Sequence, residues 1–187
     1  MKILKIALIS LFVVAGLVAG IAAYYLNSKQ PQRVGKLTLA GLQNTVTVHY
    51  DKWAIPHIYA GSEKDAYRAL GYLHAQERLF HMEILRRLAK GQLAEILGPK
   101  LISTDTLFRT LRLRQFGREY LQHQDLKAPE WVTAQAYIDG INQFIKTGPT
   151  PIEFDLLGIP KTLYTLADTI SLAGYMAYSF ARGLKTD

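Results

Sequence analysis

Two imidazoles and a carboxylate, His74, Glu77 and His81, fall within two turns of one amphipathic segment. Such a set could hold a metal ion or pass a proton. The spacing argues against the metal. A metalloprotease helix sets its two histidines four apart with Glu beside the first. His74 and His81 stand seven apart, so one small ion would reach both only on a distorted helix. Glu77 falls on an apolar stripe between Leu73 and Phe80, where a carboxylate must be paired or hydrogen-bonded to stay charged. The pattern predicts a buried polar network that pins the helix. His49, Asp51 and His57 supply a possible base and orienting acid, but a hydrolytic triad also needs a hydroxyl in reach of the imidazole. The serines are Ser10, Ser28, Ser62, Ser103, Ser171 and Ser179, and none lies in a Gly-x-Ser-x-Gly elbow. The chain has no cysteine, which excludes thiolate chemistry and disulfides. No phosphate loop or dinucleotide fingerprint is present. A hydrolytic triad is therefore not expected among these residues.

These side chains must be carried by mainly helical elements. Ser62 is a helix N-cap, with Asp65 at the third helical position. Ala66, Leu70, Leu73, Phe80, Ile84 and Leu88 recur at helical spacing up to about Lys90, and Gly91 closes the helix. Residues 92–97 read as a short turn ending at Gly98-Pro99. Residues 104–124 read as one helix, although Leu111-Arg112-Leu113-Arg114 alternates like a strand. Pro129 suits a first helical position, and Trp131, Ala134, Ile138, Ile141 and Ile145 line one face before Gly148. Residues 149–160 read as a loop, and 168–182 as a last, strongly apolar helix. Upstream, residues 36–42 and 45–51 alternate apolar and polar and predict a β-hairpin turning at Gln43-Asn44. Residues 55–60 add a short edge strand, because Pro56 cannot donate to a ladder.

The 187 residues allow one domain with a terminal appendage. Residues 6–26 form a nearly unbroken apolar run preceded by Lys2 and Lys5 and ended by Tyr24 and Tyr25. About 20 such residues cross a bilayer, and tyrosines favour its interface. Residues 1–30 thus read as a signal anchor with its linker, or as a signal peptide cut after the small residues Gly20 and Ala22. The retained anchor is favoured by the length of the run. In both cases residues 36–187 lie outside the cytoplasm, in a periplasmic or similar space. The net charge is +7, but without the first 30 residues 19 basic face 15 acidic residues. Arg86, Arg87, Lys90, Arg109, Arg112, Arg114 and Arg118 read as solvated helix faces, and no nucleic-acid motif accompanies them.

Five stretches, in order, resemble the penicillin acylase family of N-terminal nucleophile hydrolases. They are Val48–Ile58 with its Pro-His-Ile turn, Asp65–Gly71, Tyr72–Arg87 (YLHAQERLFHMEILRR), Gly91–Gly98, and Pro151–Gly158 (PIEFDLLG). The resemblance implies an αββα sandwich, of which this α+β, mostly helical segment would be most of the α chain. In that family a precursor cuts itself, and a Ser freed at the start of the β chain attacks an amide carbonyl with its own α-amine as base. An oxyanion hole, also from the β chain, would stabilise the intermediate. The segment itself should then be inert and should expose apolar faces meant for that partner. The resemblance makes Met176 and Phe180 acyl contacts, with Ser179 where the family has Arg. It also allows calcium in the complete enzyme, with Asp187 the nearest match to an acidic ligand. One carboxylate cannot supply the six to eight oxygens calcium takes, so no cofactor is expected in this chain alone. β-Lactam side chains, acyl-homoserine lactones and acyl peptides are all admissible substrates. A membrane-anchored, non-catalytic helical interaction module is the rival reading.

Overall fold

The computed structural model describes residues 2–184. Helix α1 (Lys2–Ser28) leads into a β-hairpin of β1 (Thr47–Tyr50) and β2 (Pro56–Tyr59). Seven α-helices follow among the described residues: α2 (Glu63–Lys90), α3 (Ala94–Leu97), α4 (Ile102–Thr110), α5 (Leu113–Gln122), α6 (Pro129–Thr147), α7 (Ile152–Leu157) and α8 (Leu166–Gly183), with a 3-10 turn at Pro99–Leu101 leading into α4. The only sheet among the described residues is the antiparallel pair β1–β2, in the register Val48↔Ile58 and His49↔His57.

The hairpin is not the one the alternation predicts. Residues 36–42 form no strand, and β1 pairs instead with the segment after the Pro turn. Helix side chains take the hydrogen bonds that a ladder would have used. Gln143 accepts from Ala40 N at 2.8 Å and donates to Thr38 O at 2.9 Å, and Arg68 donates to Ala40 O. Asp65 accepts from Gln43 N and Asn44 N at 2.9 and 3.1 Å. Gly41, at φ 80, further breaks the extended run.

Helix α2 is the central element. Ser62 caps it by accepting from Asp65 N, and Gly91 ends it in the left-handed conformation. Its deepest line runs about one residue before the expected apolar stripe, through Asp65, Ala69, Ala75, Gln76, Leu79, Glu83 and Arg86. Small residues let α6 approach along this line. A methyl at Gly71 would overlap the Tyr137 carbonyl, and one at Gly140 would overlap Arg68 O. The larger Leu70, Ile84 and Leu88 flank the line half-buried. The main core joins Ala75 and Leu79 of α2 to Ile138, Ile141, Phe144 and Ile145 of α6, closed by Phe154 and Tyr164.

Two further expectations are corrected. Residues 104–124 are two helices, because Arg112 adopts a left-handed backbone (φ 56) between α4 and α5. The stretch 149–160 is not a plain loop, since α7 forms within it to bury Phe154, which is 1% exposed. The last helix is as expected, with a capping box between Thr165 and Asp168.

Candidate functional site

Helix α8 carries the candidate acyl-contact residues and is held firmly on one side. Ser171 is buried and donates to Ala167 O at 2.7 Å and Leu113 O at 3.2 Å. A methyl on Gly117 of α5 would lie 2.6 Å from Ala167 O, so the two helices touch nearly backbone to backbone. Phe108 of α4 meets Tyr175 and Tyr178 edge-on, with ring centroids 5.6 and 5.7 Å away. These contacts fix the rotation of α8 and turn its other side outward. Met176 and Phe180, one turn apart, are 55% and 70% exposed, and Ser179 beside Phe180 is exposed too. The three residues share a face, as expected from their spacing. Neither Met176 nor Phe180 is packed into the core formed by the described residues. Asp187 lies outside the described residues.

The N-terminal end of α8 is tied to α2 through buried charges. Arg86 is 3% and Glu83 2% exposed, and their side chains form a direct ion pair. Glu83 also accepts from Arg87 at 2.7 Å. Arg86 lies 3.7 Å from Asp168, whose other oxygen meets Lys90 at 2.5 Å. Arg86 further donates to Thr162 O and Leu163 O and to the Thr162 hydroxyl, and its guanidinium stacks 4.2 Å above the Tyr164 ring. Burial pushes the Tyr164 phenol well above its ordinary range. Arg86 is thus an interior strut, not a solvated charge as its position suggested. The signal was present in Tyr72–Arg87: Glu83 and Arg86 are three apart, on the same side of the helix.

The ligand-type residues read from the sequence do not converge. Glu77 is paired, but with Arg33, which donates to both its oxygens at 3.1 and 2.8 Å and holds the carboxyl below its usual range. His74 shares a 2.9 Å hydrogen bond with the Tyr137 hydroxyl, and burial lowers its pKa. His81 is exposed. No group of three or more His, Asp or Glu able to hold a metal ion occurs among the described residues.

At the hairpin, Asp51 accepts from Ile55 N and Trp53 N, which lowers its pKa, and its other oxygen lies 3.4 Å from His57 Nε2. The pair shapes a turn. Ser62 caps α2, Ser171 is occupied between α5 and α8, and Ser28 donates to Tyr25 O. Arg112, Arg114 and Arg118 are exposed around an open groove of about 670 Å³ that also includes Phe108 and Arg109. Arg109 is partly committed to structure, donating to Gly91 O at the end of α2.

The helical array with this outward apolar face on α8 resembles a chain of a penicillin acylase. The thermostable penicillin G acylase of Alcaligenes faecalis superposes with a TM-score of 0.64 and 26% identity, over 74% of this chain and 75% of the solved one. The chain belongs to the penicillin amidase family, whose sequence profile matches residues 45–187. It is 43% identical over 134 residues to the penicillin acylase 2 proenzyme of a Pseudomonas species, covering 71% of this chain and 17% of that protein. It is 32% identical to the acyl-homoserine lactone acylase QuiP of Pseudomonas aeruginosa (67% of this chain, 15% of the relative). Against the penicillin G acylase of Escherichia coli the identity is 31% (70% and 16%). The chain spans about one sixth of the length of the curated relatives it matches.

Proposed function

We propose that this chain forms the α-chain wall of an exported N-acyl amidohydrolase, with the attacking hydroxyl supplied by a β chain of the same precursor. The observation that carries the reading is the geometry of α8. One face is locked by Gly117, Ser171 and Phe108, and the opposite face offers Met176 and Phe180 uncovered. A rigid helix with two large apolar side chains on its free face is a pocket wall waiting for its opposite side. The similarity to a proenzyme much longer than this chain, and to a solved acylase chain of about equal length, supports the same division into two chains. The two-sheet sandwich would then be completed by the β chain, which in this reading also brings the base and the oxyanion donors. This chain contributes no group to bond cleavage and is inert by itself.

Met176 and Phe180 would line the acyl side of the pocket, where apolar contacts discriminate chain length and shape. Ser179, where the family's Arg would stand, leaves that rim uncharged. Penicillins and acyl-homoserine lactones are both admissible substrates. Any calcium would be held mainly by the partner chain, with Asp187 as the one candidate ligand from this side. The apolar α1, with Lys2 and Lys5 at its start, would place residues 36–187 outside the cytoplasm with α1 as anchor.

The test is reconstitution. The full chain is co-expressed with the β-chain region of the Pseudomonas proenzyme and assayed on phenylacetyl and long-chain acyl amides. Activity is expected only with both chains, and Phe180→Ala should alter the ratio of kcat/KM between the two acyl groups. Hydrolysis by this chain alone would overturn the proposal. Stable association without activity, whichever acyl group is offered, would favour the interaction-module reading instead.

A further inference from the structure

We infer that the edge of the body around α7, with Leu156 at its tip, rests on the outer lipid surface of the membrane that α1 crosses. This inference depends on α1 being a retained anchor and adds to that reading a fixed orientation of the body.

Residues 27–35 are polar and contain Pro31, the composition of a short linker. A flexible tether of that length would let its ends drift by roughly 17 Å. The structure ties it down instead. The Tyr25 hydroxyl and Lys29 Nζ both donate to Asp155 Oδ2 at 2.6 Å. Gln76 donates to Gln32 O at 3.1 Å, and Arg33 forks onto Glu77. Four positions in a nine-residue stretch (Tyr25–Arg33) are therefore fastened to α2 and α7. Lys29 holds the Asp155 carboxyl below its usual range, so the clamp stays charged at neutral pH.

The height of the clamp follows from the length of α1. Its apolar run, residues 6–26, has 21 residues, and the part from Leu8 onward is not buried against the body. At 1.5 Å per residue it is about 31 Å long, which matches a hydrocarbon core of roughly 30 Å. Tyr24 and Tyr25 then stand at the lipid–water boundary, where such rings favour the interface. Asp155, bonded to Tyr25, is brought to the same level. The headgroup layer beyond it is only about 5–7 Å thick. Leu156 comes next in the chain, 76% exposed, on the side of α7 opposite the buried Phe154. A lone exposed leucine is ordinary on a protein surface. One held within a residue of the interfacial tyrosine meets lipid.

The test uses the absence of native cysteine. The full chain is reconstituted in vesicles of phosphatidylethanolamine and phosphatidylglycerol, with an environment-sensitive fluorophore on Leu156→Cys, Leu157→Cys, Lys127→Cys or Val14→Cys. Quenching by spin-labelled lipid should be several-fold stronger at 156 than at 127. Adding Asp155→Ala should bring the 156 signal down to that of 127 while the Val14 label stays quenched. Position 157 serves as the second probe should Leu156→Cys misfold. A water-exposed label at both 156 and 157, with the Val14 label quenched, would overturn the inference and leave the anchor standing. A water-exposed label at Val14 would remove the anchor, and the inference with it.

Discussion

Replacing Arg86 by Met is the sharpest test of how this domain is held together. The substitution keeps an unbranched side chain of similar reach and removes the buried guanidinium. Three kinds of contact are lost: the ion pairs to Glu83 and Asp168, the hydrogen bonds to Thr162 and Leu163, and the stack on Tyr164. Removing one partner of a buried pair costs about 3–5 kcal/mol, because the other charge remains desolvated. Here each carboxylate keeps a second cation, Arg87 for Glu83 and Lys90 for Asp168. The expected loss therefore sits at the lower end, about 3 kcal/mol. For a chain of this size that lowers Tm by roughly 6–12 °C. Urea unfolding of the full chain in mild detergent, followed by circular dichroism, measures it. Arg86→Lys should recover part of the loss, since an ammonium keeps the charge but cannot fork between two carbonyls and a carboxylate. Adding Glu83→Gln to Arg86→Met should cost less than the sum of the two singles by about 1 kcal/mol or more, the signature of direct coupling. A loss below about 0.5 kcal/mol for Arg86→Met is what a solvated arginine would give. That result would refute the buried-strut account.

Three further outcomes follow from the same structure. Gly71→Ala would gain up to about 1 kcal/mol on an open helix face, but here the methyl meets the Tyr137 carbonyl, so a loss of about 1–3 kcal/mol is expected in urea unfolding. Met176→Ala and Phe180→Ala should each change the stability of this chain by no more than about 0.5 kcal/mol, because both side chains face outward; a drop of several kcal/mol would show they are core after all. His74 is partly desolvated against Tyr137, which lowers its folded pKa from the ordinary 6.5 although the residue stays exposed. The unfolded chain then binds a proton the folded one resists, so stability falls slightly as pH drops below about 6.5, a small effect because the ring is still open to solvent. His74→Gln should flatten that part of a stability-versus-pH curve measured by thermal melting.

Local signals were legible wherever one residue decides one turn. Ser62 and Gly91 delimit α2 because a side-chain oxygen and a left-handed glycine satisfy helix ends with little help from elsewhere. Pro129 opens α6 for an equally local reason, its missing N–H being one the helix start does not use. The stretch 36–42 failed by the same logic. Its alternation fits a strand, but Gln143 and Arg68 reach it from distant parts of the chain and take its hydrogen bonds, while Asp65 holds the next two residues, Gln43 and Asn44. The charged line on α2 was also misread. A period of 3.6 marks apolar residues, and it does not reveal that Glu83 and Arg86 become interior once Thr162–Tyr164 folds over them.

The order of the motifs in Val48–Gly158, the caps and the Met176–Phe180 spacing belong to the chain itself, because each depends on residues close in sequence. Which face of α8 looks outward, which carboxylate answers which arginine, and how the segment after α1 is fastened were decided only in three dimensions. Each of those depends on two distant segments meeting, Gly117 with Ala167, Arg86 with Asp168, Tyr25 with Asp155, and contact between remote residues leaves no local periodicity to read.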